Sequence, residues 1–254
     1  MFLRLIRFLS SSIEEGIFSS FGNVVLGGDS FVTDNLRDGI LEAWRDMTKR
    51  GIDLFVSSSL ICMALPLFLL ISVIVKISSR GPIFFCQERV GYKRKIFRIW
   101  KFRTMRHESS KEEHRKYIQY LLREGQTVEN RLDLLRNYID YIDRQTTKVG
   151  RFLRATSFDE LPQLINILRG DMSLVGPRPH PIYEVNEYKD WYYRRLNVKP
   201  GLTGWSKLNL RCTPHNYEEA ILYDLWYVDH WSLGLDLRIF LMTVPFVLSM
   251  KDAS

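Results

Sequence analysis

Cysteine is scarce in this chain of 254 residues: three occur, Cys62, Cys86 and Cys212, far apart and odd in number. With no Cys-x-x-Cys pair, neither a zinc site nor a disulfide framework is indicated. A reducing environment for the soluble part is the simpler reading. The five histidines show no metal-ligand spacing. Acid is also in short supply, with 29 Asp and Glu against 36 Lys and Arg and a net charge of +7. The imbalance is sharpest from Arg80 to Arg106, where nine basic residues meet a single acid, Glu88. Such a balance favours anionic partners: phosphates, acidic lipid head groups or nucleic acid.

Charge of either sign is missing altogether from Leu54 to Val75. That run is long enough to span a bilayer, and it starts too far inside the chain for a cleavable signal peptide of the usual form. Pro66, near its middle, removes a helical hydrogen bond and clashes with the preceding turn, so it bends the helix. A bent helix either crosses the membrane or enters, turns at Pro66 and returns to the same face. The positive-inside rule puts Arg80–Arg106 in the cytoplasm. Arg45, Lys49 and Arg50 precede the run as well, and basic flanks on both sides favour the re-entrant hairpin. A buried core helix is the remaining alternative.

The rest of the chain reads as an α/β fold, mostly helical with a small β-hairpin. Residues 1–48 form a weakly patterned N-terminal extension. Met1–Leu9 suits a short helix on a membrane surface as well as an ordinary packing helix, and Asp34–Met47 fits an amphipathic helix. Residues 49–80 hold the membrane helix, and 81–254 a cytosolic domain. In that domain Pro82–Phe85 and Ile96–Phe102 read as strands joined by a turn at Gly91–Lys95. Lys101 and Arg103 then share one strand face, which suits an anion site or a solvated edge equally. A charged insertion at about 108–148 reads as a helical hairpin broken at Gly125, with apolar stripes through Tyr117, Leu121 and Leu122 and through Leu132, Leu135, Tyr138, Ile139 and Ile142. Trp226–Phe246 suits an interfacial helix rather than a second span, because Asp229, His230, Asp236 and Arg238 interrupt it.

The most informative stretch is Arg154–Leu164. Leu161, Leu164, Ile165 and Leu168 recur at helical spacing, and Pro162 belongs in the first turn, where its missing N–H costs nothing. Asp159 then falls at or beside the N-cap with Glu160 next to it, at the positive end of the helix dipole, which keeps carboxylates ionised. Ser157-x-x-Glu160 also fits a plain capping box. The free N–H groups and the nearby Arg154 suit a phosphate, but two carboxylates beside a phosphate require a metal ion or basic side chains to neutralise them. Gly170 fits a helix C-cap. Gly176-Pro177-Arg178-Pro179 makes a stiff, extended loop that fixes where Arg178 points. In Val198–Trp205, Lys199, Gly201 and Thr203 belong to a loop able to wrap a nucleotide or phosphate, although such a loop is often only a turn.

Five stretches occur in order: the apolar run with Pro66, Lys101–Met105, Ser157–Leu164, Gly170–Pro179 and Val198–Trp205. Together they resemble the monotopic phosphoglycosyl transferases, bacterial sugar transferases also called polyprenyl-phosphate hexose-1-phosphate transferases. The likeness covers roughly Lys49 to Val247 apart from the helical insertion. It implies transfer of a sugar-1-phosphate from a nucleotide diphosphate sugar, usually a UDP-sugar, to polyprenol phosphate, with UMP released, as the first step of glycoconjugate or polysaccharide assembly. It implies that Asp159 is the nucleophile, that Glu160 helps hold Mg²⁺, and that Lys101, Arg103, Arg154 and Arg178 bind substrate phosphate. It further implies a bacterial inner-membrane protein with its catalytic domain on the cytoplasmic face, lipid and nucleotide sugar as partners, no nucleic acid, and homo-oligomerisation left open. Where family members often carry serine before the membrane proline, this chain has Leu65, and Phe158 stands where leucine is common. The competing readings are a membrane-tethered basic binding protein and a scaffold acting through Tyr117–Ile142; neither gives Asp159 and Glu160 a role.

Overall fold

The computed structural model describes residues 30–106, 116, 128–210 and 217–248. Met1–Leu9, the first half of the expected insertion and Cys212 lie outside the described residues. The first element is one long helix, α1 (Ser30–Ser78), which contains Pro66 and takes in the end of the N-terminal extension. Among the described residues it is the one helix long and apolar enough to cross a membrane.

The expected hairpin follows, but its first strand starts later and runs longer than Pro82–Phe85. Strands β1 (Phe84–Val90) and β2 (Ile96–Phe102) pair antiparallel, Phe84 opposite Phe102 and Val90 opposite Ile96. A short 3-10 turn at Tyr92–Arg94 connects them, with Lys93 and Arg94 at positive φ. The downstream part of the insertion forms α2 (Val128–Gln145), followed by α3 (Lys148–Ala155). A 3-10 turn at Phe158–Glu160 leads into α4 (Gln163–Arg169), which ends at Gly170 in the left-handed conformation. Strand β3 (Ser173–Val175) pairs parallel with β5 (Gly201–Thr203), while β4 (His180–Pro181) adds to the outer side of β1. The remaining helices are α5 (Ile182–Val185), α6 (Trp205–Asn209), α7 (Tyr217–Asp229) and α8 (Leu233–Leu248). The expected helix over Trp226–Phe246 is therefore two, because the helix stops at Asp229 and Ser232 starts the next, its Oγ accepting from Leu235 N–H.

The core around the site joins Ile99 on β2, Leu164 and Ile167 on α4, and Leu174 and Val175 on β3. One buried amide fixes the geometry. Asn166 on α4 accepts from Trp100 N–H at 3.1 Å and donates to Arg98 C=O at 2.7 Å. It thereby satisfies the outer edge of β2, which has β1 on its other side, as buried backbone groups require. The helix that follows the two carboxylates is thus locked to the strand that carries Lys101.

Both ends of the apolar stretch of α1 are fastened to this same domain. At the upstream end Arg50 donates to the carbonyls of Ile167 and Leu168 at 2.6 and 2.8 Å, capping α4. Asp53 accepts from Leu174 N–H and the Ser173 hydroxyl, and Lys49 pairs with Asp236 of α8. At the downstream end Ile71 and Val75 are buried with Phe102 and Leu153, and Phe68 packs its ring 4.8 Å from that of Phe102. Between these ends Cys62, Met63, Leu65 and Pro66 are exposed.

Candidate active site

A cavity of about 220 Å³ opens between β2, α4, the Gly176–Pro179 loop, β5 and α6. Four cationic side chains line it, Arg89, Lys101, Arg178 and Lys207, against one carboxylate, Glu160. Its floor depends on close backbone approach. Gly176 donates to Thr203 C=O and Gly201 to Pro177 C=O, at 3.0 and 2.9 Å. A Cβ at Gly201 would stand 2.1 Å from the Gly176 nitrogen, so no side chain fits there.

The two adjacent carboxylates differ in surroundings. Glu160 is gripped at both oxygens: Lys101 Nζ lies 2.7 Å from Oε1 and Lys207 Nζ 2.7 Å from Oε2. Burial alone would raise its pKa, but the two lysines outweigh burial and hold the carboxyl well below the usual range. Asp159 is 8% exposed and lies beside the cavity, its Oδ2 3.9 Å from Lys101 Nζ. Burial pushes its pKa up; Lys101 pulls it back, the neighbouring Glu160 adds to the rise and Arg154 opposes it.

This corrects the expected N-terminus. Asp159 lies in the 3-10 turn, and Pro162 is the residue that caps α4. Ser157 makes no capping hydrogen bond and instead turns the chain at φ 55°. The helix-dipole argument for an ionised pair gives way to desolvation at Asp159 and to lysine contacts at Glu160.

The other expected residues divide. Lys101 and Arg178 reach the cavity; among the described residues the Arg178 guanidinium has no hydrogen-bond or ion-pair partner. Its backbone is clamped, since Arg195 donates to Arg178 C=O at 2.6 Å and Arg89 to Pro179 C=O at 3.0 Å. Arg154 stands behind Asp159, donating to the Thr104 hydroxyl at 3.0 Å. Burial lowers its pKa and Asp159 opposes that. Arg103 does not face the cavity. The strand ends at Phe102, and the Arg103 side chain turns to the end of α1, donating to the carbonyls of Ser79 and Arg80 at 2.7 and 3.0 Å. Lys199 is also elsewhere, facing Gly170 and Arg50 on the outer side of β3. Gly201 and Thr203 line the cavity through their backbone, because the Thr203 hydroxyl is bonded to that of Thr243 at 2.7 Å.

Two lining residues escaped the sequence reading. Lys207 lies two residues beyond the Gly204-Trp205 pair that closes the recognised stretch. Arg89 sits in the basic segment 80–106, in which no local pattern sets it apart from its cationic neighbours. Burial lowers its pKa to about 10; Glu184 opposes this and Arg178 adds to it. Two guanidiniums that repel each other across a cavity favour an anion between them.

Among the described residues no three His, Cys, Asp or Glu side chains are grouped to hold a metal. Two neighbouring carboxylates suit Mg²⁺ in its usual mode, in which one or two protein carboxylates share the ion with substrate phosphates and water. The donor set fits Mg²⁺ on that condition.

Residues 44–250 match the family model described as "Bacterial sugar transferase". The chain is 35% identical over 223 residues to undecaprenyl-phosphate glucose phosphotransferase of Komagataeibacter xylinus, covering 84% of this chain and 38% of that protein. It is 36% identical over 216 residues to the UDP-glucose:undecaprenyl-phosphate glucose-1-phosphate transferase of Escherichia coli, covering 82% of this chain and 42% of the relative. With the exopolysaccharide production protein ExoY of Rhizobium meliloti it shares 37% over 201 residues, 79% of this chain and 85% of that one. The chain thus spans about two fifths of the first two relatives and most of the third.

Proposed function

We propose, from the premise that the chain belongs to the bacterial sugar transferase family, that it is a phosphoglycosyl transferase moving a sugar-1-phosphate from a UDP-sugar to polyprenol phosphate. The observation that carries this is the cavity itself: four cations converge where one carboxylate lines the wall and a second, Asp159, stands alongside. The surplus positive charge suits a diphosphate. The names of the relatives supply the donor and acceptor classes.

In this reading Asp159 attacks the phosphorus that carries the sugar. A bond forms from its Oδ to phosphorus, the bridging P–O bond breaks, and UMP leaves with that oxygen. The phosphate oxygen of polyprenol phosphate then attacks the same phosphorus and displaces the Asp159 carboxylate, giving polyprenyl-diphosphate-sugar. Carboxylate nucleophiles divide one difficult displacement into two easier ones in this way. In this reading Lys101 lowers the charge of both carboxylates, and Arg89 and Arg178 hold the phosphate oxygens of the donor and of the departing UMP. Arg154 keeps a positive charge behind Asp159. Mg²⁺, when bound through Glu160 and substrate phosphate, would neutralise charge developing on the leaving oxygen.

The acceptor's lipid makes the membrane part of the function. Arg50 and Val75 are separated by about 38 Å of straight helix, more than the roughly 30 Å of a bilayer's hydrocarbon core. One domain touches both positions. A spanning helix would put them on opposite faces, so this attachment supports a hairpin in one leaflet, bent at Pro66 with its exposed middle in lipid. The basic residues of 80–106 then favour the cytoplasmic face of the inner membrane. Thiol labelling from outside intact cells at cysteines introduced before Lys49 and after Lys76 tests this; labelling of one flank alone rules out the hairpin.

The activity is tested by UMP release from a panel of UDP-sugars with polyprenol phosphate and Mg²⁺, for the wild type and Asp159→Asn. Lipid-dependent release with a given donor, lost in the variant, is the expected result. Release that persists in the variant removes Asp159 as the nucleophile. A basic binding protein would retain salt-sensitive lipid binding in Asp159→Asn and release nothing.

A further inference from the structure

Glu160 is the carboxylate that lines the cavity, and without a bound donor both its oxygens are already held by lysines. Each oxygen accepts from an ammonium group at 2.7 Å, one from Lys101 on β2 and one from Lys207 on α6. A dication seated on either oxygen would lie within a few ångströms of both ammonium groups, and at that range like charges repel strongly even with protein screening. Lys101 is also held by Asp159 at 3.9 Å. Lys207 has no second carboxylate within 4 Å among the described residues, so it is the lysine freer to leave. Its long side chain is partly exposed and lies on the cavity wall, where phosphate oxygens of a bound diphosphate would offer it another partner.

We infer that Lys207 is a built-in counter-cation that competes with the divalent metal for Glu160, so that the free protein binds the metal weakly and takes it up together with the anionic donor. This rests on reading the cavity as a diphosphate site. The inference concerns order and coupling: lysine on the carboxylate before the donor arrives, lysine on phosphate and metal on the carboxylate afterwards. By linkage, the donor tightens metal binding and the metal tightens donor binding by the same factor. A neutral side chain at position 207 leaves Glu160 with one competitor instead of two and uncouples the two events.

The test is equilibrium dialysis of Mn²⁺ against the full chain in nanodiscs, with bound metal counted by its electron paramagnetic resonance signal after acid release. Wild type, Lys207→Gln, Lys207→Arg and the double variant Lys207→Gln with Glu160→Gln are compared, each with and without UDP. Lys207→Gln is expected to bind Mn²⁺ about tenfold more tightly than wild type without UDP, the order expected for removing one unit charge near a dication. Lys207→Arg should stay near wild type, and the double variant should lose the gain. Wild type should bind more tightly once UDP is present. The inference is overturned if Lys207→Gln shows no gain, if the gain survives loss of the Glu160 carboxylate, or if wild type binds Mn²⁺ equally with and without UDP. A tenfold gain in a protein that turns over no UDP-sugar would uphold the competition and refute the transferase reading.

Discussion

Replacing Asn166 by leucine is the sharpest test of how this fold holds its site. The side chain is fully buried; leucine keeps its branching at Cγ but is bulkier and can neither donate nor accept, so any crowding adds to the loss. The two hydrogen bonds to the strand disappear, from Trp100 N–H at 3.1 Å and to Arg98 C=O at 2.7 Å, along with a longer one to Asp171 Oδ2 at 3.5 Å. Each strand bond leaves a backbone group without its partner, at a cost of about 1–3 kcal/mol apiece. The loss should therefore be roughly 2–6 kcal/mol, a fall in Tm of at least about 4 °C for a domain of this size. Because Trp100 and Lys101 are consecutive, the lysine that grips Glu160 shifts with the strand edge. Thermal unfolding in nanodiscs followed by tryptophan fluorescence gives the first quantity, and UMP release at saturating donor the second. Both should fall together. A Tm within about 1 °C of wild type would show that water or a neighbouring group replaces the amide at no cost, and the account of how α4 is locked to β2 would be wrong.

Two further outcomes follow from the geometry. Arg103→Leu should lower stability by about 1.5–3 kcal/mol, the range for a hydrogen bond to a charged group, while leaving the KM for donor unchanged; Arg178→Ala should do the reverse, and a raised KM in Arg103→Leu would return that residue to the substrate site. Burial raises the pKa of Asp159 and Lys101 is the largest influence pulling it down. In the proposed reaction Asp159 must be ionised to attack, so activity is expected to be lost as pH falls through a pKa above the ordinary 3.8, and Lys101→Met should move that acid limb to still higher pH in a profile scaled to its own plateau. An unmoved or lowered limb would remove Asp159 as the group being titrated.

What the sequence revealed and what it hid have physical causes. The hairpin was legible because apolar strands flanked a glycine-containing basic turn, and the end of α4 was legible because Gly170 takes a positive φ. Asp159, Glu160, Lys101 and Arg178 were recognised through local stretches, and the structure brings them close. Arg103 was misplaced because alternation along a strand predicts a shared face only while the strand lasts, and β2 stops at Phe102. Ser157 looked like a cap because spacing does not report φ. Lys207, Arg89 and Asn166 were missed for a common reason: each matters through a partner dozens of residues away, and nothing in its own neighbourhood marks the pairing. The 59 residues between Lys101 and Glu160 and the 47 between Lys207 and Glu160 are bridged by tertiary packing alone.

With α1 in one leaflet as proposed, its fastening at both ends would give the protein a fixed altitude. Phe102 packs against Phe68 of the apolar helix and Lys101 is its immediate neighbour, so anchor and candidate site are one residue step apart along the strand, about 3.4 Å of chain. No hinge lies between them to absorb a change of depth. The phosphate of a polyprenol already floats at one height, that of the head groups, and its tail need never leave the lipid. On the proposed seating and acceptor, the two would meet by sliding in two dimensions, with the vertical coordinate of the encounter set beforehand by the stack of rings that holds the helix to the hairpin.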